Sequence, residues 1–175
     1  MEMAKTLKSL LPPAVGLVAY GLAVWFLLHN DMAIGRWLFG TFLVGHGLVH
    51  VMFAAPQPAA RPATANGVDY PFDMARSWPV SAGLDAGLAR ILAVALVSSI
   101  VLGFVLAGLA IVGLLVPAGW WQGLVVGSTF ASIVLLALAF SPGLLLGVAI
   151  DGVLLWVVFA SSWVPVAAIA QRGGM

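Results

Sequence analysis

Cysteine is absent from this chain, and charged residues are scarce. Among its 175 residues there is no cysteine, and Asp, Glu, Lys and Arg together make up 7%. Without cysteine, the chain can form no disulfide, no thiolate metal site and no cysteine nucleophile. Ordinary soluble domains carry about 25% charged residues, because their surface must face water. The composition therefore excludes an ordinary water-soluble domain.

Clustered positive charge and enzyme signatures are absent as well. Seven Lys and Arg residues against six Asp and Glu residues give a formal net charge of +1, and no basic patch is present. Since nucleic-acid-binding proteins neutralise phosphates with such patches, we expect no nucleic-acid partner. The G-x-S-x-G elbow, the Walker loop and the dinucleotide fingerprint do not occur. We therefore predict no catalytic residues and no enzymatic activity.

Apolar residues dominate what is present. They make up 63% of the chain, and the mean hydropathy is +1.14. A membrane-spanning helix needs about 20 such residues. Five runs approach or exceed that length and are called spans one to five: 13–28, 33–54, 84–116, 120–140 and 143–164. The predicted fold is all-α, with residues 1–175 forming one domain, a five-span transmembrane helical bundle in contact with the lipid bilayer.

The connections between spans are unequal. Pro12 and Pro13 predict the start of span one, where a missing N–H is tolerated. Very short turns join spans three, four and five, which should therefore be antiparallel neighbours. The long connection, residues 55–83, is rich in proline and alanine at first and then mixes aromatic with charged residues. Asp85 follows it and is expected to cap span three.

Positive residues indicate the orientation of the bundle. The N-terminus and the long loop share one side of a five-span protein, and that side has more Lys and Arg: Lys5, Lys8, Arg61, Arg76 and Arg90, against Arg36 and Arg172. The positive-inside rule places the N-terminus in the cytoplasm and the C-terminus outside. Most tryptophans fall at the predicted outer ends, as an interfacial belt would: Trp25, Trp37, Trp120, Trp121 and Trp163. We expect a multi-pass protein of the bacterial inner membrane.

Glycines at four-residue spacing predict close helix packing. Small residues allow membrane helices to approach one another, since lipid provides no hydrophobic drive for association. The helix-packing candidates are Gly40, Gly47, Gly123, Gly127, Gly143 and Gly147. Packing within one chain is favoured over a dedicated dimer face, because such spacing is common in membrane helices.

Three ionisable residues fall at depth within the spans: His46, His50 and Asp151. His46 lies before the cytoplasmic end of span two, and Asp151 lies after the cytoplasmic start of span five, each by about 12 Å at 1.5 Å per residue. His50 is shallower, at about 6 Å. On a helical wheel, His46 and His50 share one face of span two with Gly40 and Gly47. Asp151 shares one face of span five with Gly143 and Gly147. We predict that spans two and five touch and that His46 pairs with Asp151.

The residue types at this site leave several interpretations open. A buried polar link that fixes helix register is favoured. A proton or ion relay is the next, since histidine titrates near neutral pH and a carboxylate tunes it. His46 and His50, at i and i+4, could bind a metal with a carboxylate as third ligand. A b-type haem is least favoured, because His29 is about 25 Å from His50 in depth.

The sequence therefore favours a non-catalytic accessory or scaffold subunit of a membrane complex, whose partners would be other membrane subunits or a second copy. The alternative is a small proton- or metal-dependent transporter that uses His46, His50 and Asp151. We expect no cofactor if the chain is an accessory or scaffold subunit. If it is a transporter, His46 and His50 could bind a divalent metal. Asp69 or Asp73 of the loop could complete a site near His50. An intramembrane enzyme would need a ligand-sized cavity at the cytoplasmic end of spans two and five.

Overall fold

A computed structural model of the protein describes residues 2–30, 33–55 and 74–159. Helix accounts for 88% of these residues, and no strand occurs among them. Within them, four segments are long and apolar enough to cross a membrane: Leu10–His29, Ala86–Val112, Ala118–Leu138 and Pro142–Phe159. These observations confirm the predictions that the fold is all-α and that its long helices are compatible with a membrane.

The described residues contain six α-helices and four 3-10 turns. The helices are α1 Glu2–His29, α2 Ala33–Val49, α3 Trp78–Ser81, α4 Ala86–Val112, α5 Trp121–Leu138 and α6 Leu145–Phe159. The 3-10 turns are His50–Phe53, Met74–Arg76, Ala118–Trp120 and Pro142–Leu144. The first turn continues α2, and the last two lead into α5 and α6. Predicted spans one to five therefore overlap α1, α2, α4, α5 and α6, respectively.

Helix α1 begins earlier than the prolines predict. It starts at Glu2, and both Pro12 and Pro13 lie inside it. Each proline leaves the carbonyl four residues before it without an N–H partner. Those carbonyls belong to Lys8 and Ser9, which precede the apolar segment Leu10–His29, and the Lys8 side chain is exposed. Water can hydrate carbonyls at that end, so the helix continues through the prolines.

Both ends of α4 are fixed by local caps. The Asp85 carboxylate accepts a hydrogen bond from the Leu88 N–H at 2.9 Å, which confirms the predicted cap. At the other end Gly113 adopts φ +82°, a left-handed conformation that suits glycine and terminates the helix. The helix is consequently shorter than predicted span three at both ends.

Helix α4 is the element around which the others pack. Its most extensive neighbours are α2 and α5, while α1 packs against α2 and α6 against α5. Five residues of its inner face are completely buried: Ala93, Ile100, Phe104, Ala107 and Ala110. Their spacing repeats every three to four residues, or multiples of it, so they form one continuous side of the helix. Helices consecutive among the predicted spans are thus also neighbours in space.

The closest approach of α2 to α4 is made by two facing glycines. A Cβ added to Gly40 would lie 2.9 Å from the Gly108 carbonyl oxygen, and one added to Gly108 would lie 2.7 Å from the Gly40 carbonyl oxygen. Further along α2, a Cβ on Gly47 would lie 2.9 Å from the Phe104 Cβ. Gly40 and Gly47 therefore allow α2 to pack closely against α4. This differs from our expectation that the glycines of span two mark its contact with span five.

The remaining glycines predicted to mediate packing differ in whether another helix lies close to them. Gly147 packs against Leu136 of α5, where an added Cβ would be 3.2 Å from a side-chain methyl, and Gly143 lies in the 3-10 turn before α6. Gly123 and Gly127 differ from the prediction, because an added Cβ at either would meet no atom within 4 Å. Helix α5 directs another face inward, formed by Trp121, Val125, Ser128, Thr129, Ser132, Leu135 and Leu136. Gly123 and Gly127 therefore mediate no close packing within the described residues.

The tryptophans form only part of the predicted belt. Trp25, Trp37 and Trp120 are 52%, 55% and 63% exposed, as interfacial residues would be. Trp121, by contrast, is 1% exposed and meets Phe39 edge-on at a centroid distance of 6.5 Å. Trp121 is thus a core residue of the α2–α5 contact. Several sequence predictions lie outside the described residues: those on Arg61, Asp69, Asp73, Trp163 and Arg172.

The glycine contact between α2 and α4 generates a stability prediction. Gly108→Ala should lower the free energy of unfolding by about 1–3 kcal/mol, because its methyl group would overlap the Gly40 carbonyl and a backbone atom cannot rotate away. The measurement is reversible unfolding in mixed detergent micelles.

The matched control is Gly45→Ala on α2, where an added Cβ meets nothing within 4 Å. This variant should be neutral or slightly stabilising, since alanine favours helix over glycine by about 1 kcal/mol. Equal destabilisation by the two substitutions would contradict the close approach.

Candidate functional site

Four buried polar side chains meet between α2, α5 and α6, and we call them the polar network. His46 comes from α2, His50 from the 3-10 turn that continues it, Ser132 from α5 and Asp151 from α6. Their exposed fractions are 8%, 3%, 0% and 0%. Because polar groups are costly in an apolar interior unless they are paired, their mutual contacts decide whether the network is stable.

Four short contacts connect these side chains. His46 Nε2 lies 2.9 Å from Asp151 Oδ1, and Ser132 Oγ lies 2.6 Å from Asp151 Oδ2. His50 Nε2 lies 2.7 Å from Ser132 Oγ, and His50 Nδ1 lies 2.9 Å from the His46 carbonyl oxygen. Both carboxylate oxygens and both ring nitrogens of His50 are therefore engaged by groups of the same chain.

The end of α2 positions both histidines. His46 and His50 are one helical turn apart, so both point to the same side of the helix. The helix changes to a 3-10 turn at His50, and the two rings then stand nearly perpendicular, at 86° and a centroid distance of 5.2 Å. At a helix end the last carbonyls lack N–H partners, and the His50 ring lies where it can donate to one of the last of them.

Asp151 is the one ionisable residue of α6. It and Leu154 are the buried residues of that helix, whose other described residues are at least partly exposed. A carboxylate in an apolar span is stable only when its oxygens are paired. Asp151 meets that condition with the His46 ring on one oxygen and the Ser132 hydroxyl on the other.

Aromatic rings enclose the histidines. Phe42 stacks on His46 at a centroid distance of 6.0 Å, and Phe104 meets His46 edge-on at 5.1 Å. Phe53 stacks on His50 at 6.3 Å. These rings reduce the access of water to the network, and in such a low-dielectric environment each hydrogen bond is electrostatically stronger.

The structure brings together the three ionisable residues predicted from the sequence, but only two of them are in direct side-chain hydrogen-bonding contact. His46 contacts Asp151 directly, whereas His50 reaches Asp151 through Ser132. Sequence reasoning missed Ser132, although a signal was present. Ser132 lies eight residues before Phe140, where predicted span four ends. That distance gives it a depth of about 12 Å, level with His46 and Asp151.

The geometry does not resemble a metal centre. Among the described residues, no group of three His, Cys, Asp or Glu side chains could hold a metal ion. Both His50 nitrogens are occupied by protein partners, so a metal on His46 and His50 would have to displace Ser132 or the His46 carbonyl. His29, the histidine considered for haem, stacks on Trp25 at the end of α1, with a centroid distance of 5.3 Å.

A large cavity lies beside the network but does not open into it. Its volume is about 720 Å³, and its walls come from α1, α2 and α6. The lining is almost entirely apolar, and Tyr20, a polar residue in it, donates its hydroxyl to the Leu38 carbonyl at 2.6 Å. Phe42 lines the cavity and stacks on His46, while neither His46 nor Asp151 lines it. The described residues that line the cavity therefore present few polar groups to it.

The pairing of His46 with Asp151 generates a prediction for a double-mutant cycle. His46→Leu and Asp151→Leu should each lower the free energy of unfolding by about 1–3 kcal/mol, because each leaves a buried partner unpaired. The double variant should lose less than the sum, with a coupling free energy of about 1 kcal/mol or more. Equilibrium unfolding in bilayer-like micelles measures all four proteins.

His29→Leu serves as the control, since His29 is exposed and outside the network. It should change the free energy of unfolding by less than about 0.5 kcal/mol. Additive effects of His46→Leu and Asp151→Leu would show that the two side chains do not interact energetically.

Comparisons of this chain with protein-family models, with curated proteins and with solved structures find no match. Roles for His46, His50, Ser132 and Asp151 therefore rest on geometry and chemistry. That chemistry is the pairing of a buried carboxylate with two imidazoles, one of them through a hydroxyl.

Proposed function

We propose that this chain is a five-span integral membrane protein that serves as a non-catalytic accessory or scaffold subunit of a membrane complex. The observation that carries this proposal is the closure of the polar network. Ligand sites present a few free polar groups to a cavity. Here the Asp151 oxygens and the His50 nitrogens face partners in the same chain, and the adjacent cavity is apolar. Such a network fixes helices relative to one another.

The length of α2 supports a fifth span. Its α-helical part, Ala33–Val49, has 17 residues, and the 3-10 turn His50–Phe53 adds four. At 1.5 Å and 2.0 Å per residue these give about 33 Å, enough for a hydrocarbon core of about 30 Å. Ile34, Trp37 and Leu48 on this helix are at least half exposed, which suits contact with lipid.

The orientation that we propose follows from the distribution of charge. The N-terminus and the loop before α4 would lie in the cytoplasm, and the C-terminus outside, in a bacterial inner membrane. The network would then lie about 12 Å from the cytoplasmic boundary, with His50 closer to water than Asp151.

The second candidate is a small proton-dependent transporter. One observation favours it: His50 and Asp151 are connected through the Ser132 hydroxyl, and histidine is the side chain that most readily changes charge near neutral pH. The metal-dependent form of this alternative has less support, because the described residues contain no three-ligand group.

Topology can be tested cleanly because the chain has no cysteine. A single cysteine at Gly119, which is exposed and has open space around it, should react with a membrane-impermeant maleimide added to intact cells. Ala82→Cys, at the exposed turn before α4, should react only after the membrane is permeabilised. Labelling of both sites from one side would rule out a membrane crossing by α4, and the reverse pattern would invert the proposed orientation.

The functional proposal predicts assembly without ion flux. Extracted from its own membrane in mild detergent, the 18.1 kDa chain should migrate in a larger complex of fixed stoichiometry. Asp151→Leu should release it from that complex, because the network no longer fixes α6 against α2 and α5, while His29→Leu should not. Native electrophoresis measures both.

Reconstitution separates the two candidates. Vesicles that contain the purified wild-type chain should take up protons no faster than empty vesicles, measured with an enclosed pH-sensitive dye. Proton flux that Asp151→Asn abolishes, from a chain that is monomeric in its native membrane, would replace the accessory role with the transporter.

A further inference from the structure

The contacts of the polar network restrict where its protons can lie. Each of its four contacts joins two electronegative atoms at 2.6–2.9 Å, so each needs one proton between them. The His46 carbonyl can only accept, so His50 Nδ1 must carry a proton. The Ser132 hydroxyl has a single proton, and it can serve only one of its two contacts. The other contact must take its proton from His50 or from Asp151.

Two arrangements satisfy all four contacts when His46 donates from Nε2. In the first, His50 is protonated on both nitrogens and donates to Ser132, and Ser132 donates to an ionised Asp151. In the second, Asp151 is protonated on Oδ2 and donates to Ser132, and Ser132 donates to the unprotonated Nε2 of His50. The arrangements contain the same number of protons and have the same total charge. They differ in whether His50 and Asp151 form an ion pair or are both neutral.

We propose that Ser132 transfers a proton between His50 and Asp151, so that the network is a proton relay with two stable positions. In the transfer, the His50 Nε2–H bond breaks and a new O–H bond forms on Ser132. The original Ser132 O–H bond breaks, and its proton binds Asp151 Oδ2. The reverse step restores the ion pair. No other reactant is needed, and the heavy atoms stay at hydrogen-bonding distance throughout.

The relative free energy of the two arrangements depends on the burial of the network and on the charges near His50. Among the described residues, the charged or titratable groups that act electrostatically on His50 are His46, on its own helix, and Asp151, on α6. Helix α4 contributes the apolar ring of Phe104, and α5 contributes the Ser132 hydroxyl. Burial disfavours the ion pair, whereas the attraction between imidazolium and carboxylate favours it. These opposing effects can bring the two arrangements close in free energy.

Loss of a proton from either arrangement breaks a contact. An ionised Asp151 beside a neutral His50 leaves one of three contacts without a proton: Ser132–Asp151, His50–Ser132 or His50–carbonyl. The network therefore keeps its proton count while one proton changes position. This sharing needs only the four side chains, and it is independent of whether the chain is a subunit or a transporter.

The test is spectroscopy of the full-length chain in lipid bilayers. Nitrogen-15 NMR of labelled histidine reports protonation of each ring nitrogen, with His29→Gln used to assign the third histidine. Infrared absorption reports the protonated carboxyl of Asp151, assigned by its disappearance in Asp151→Asn. His50 Nδ1 should be protonated in every molecule. The fraction protonated on Nε2 and the fraction with a protonated Asp151 should change in opposite directions with temperature and together account for all molecules.

Ser132 provides the decisive variant. Ser132→Ala should abolish the coupled temperature dependence, and Ser132→Thr, which keeps a hydroxyl, should restore it. Ser128→Ala is the matched control, because Ser128 is a buried serine on the same helix without a contact in the network. It should behave as the wild type does.

Three results would overturn the relay. One is a wild-type His50 protonated on Nε2 alone, because its Nδ1 would then face a carbonyl without a proton. Another is a wild type locked in one arrangement at every temperature. The third is a Ser132→Ala variant whose two fractions still change together. The first two are read from the wild type, so they stand even if Ser132→Ala does not fold.

Discussion

The carboxylate of Asp151 is the constraint on which the rest of the described structure depends. It is completely buried in an apolar helix, and an unpaired charge there would cost several kcal/mol. Its two oxygens require hydrogen-bond partners, and these come from two different helices, α2 and α5. The position of α6 is thereby tied to both, although among the described helices α6 packs extensively only against α5. One carboxylate thus determines how three helices are arranged in depth and rotation.

The glycine contacts allow the helices to approach one another, but the glycines are not part of the polar network. Gly40 and Gly108 allow α2 and α4 to meet at backbone distance, and a Cβ on Gly103 of α4 would collide with the Ser128 hydroxyl on α5. Helix α4 thereby holds α2 on one side and α5 on the other. The His46 ring and the Ser132 hydroxyl can then reach the same carboxylate. Packing brings the helices close, and the polar network selects one register among those that packing allows.

Sequence reasoning reached the helices and the depth of the ionisable groups, because both follow from helical rise and the thickness of a bilayer. It did not reach Ser132, which has the same depth as His46 and Asp151, since a hydroxyl can be satisfied within its own helix and so does not demand a partner. It also assigned Gly40 and Gly47 to the wrong neighbour. A glycine reports that another helix comes close, but its missing side chain carries no information about which helix that is.

Structural and proton-handling roles are not alternatives for a network of this kind. Occupation of all four contacts makes the link rigid, since any lost proton breaks a hydrogen bond in a low-dielectric site. The same requirement permits a proton to move, because a hydroxyl between an imidazole and a carboxylate can reverse its direction while every contact remains occupied. Charge can therefore be redistributed between α2 and α6 without a movement of either helix. A protein that uses the network only to hold its helices would still contain this second proton position, because the geometry that satisfies Asp151 also creates it.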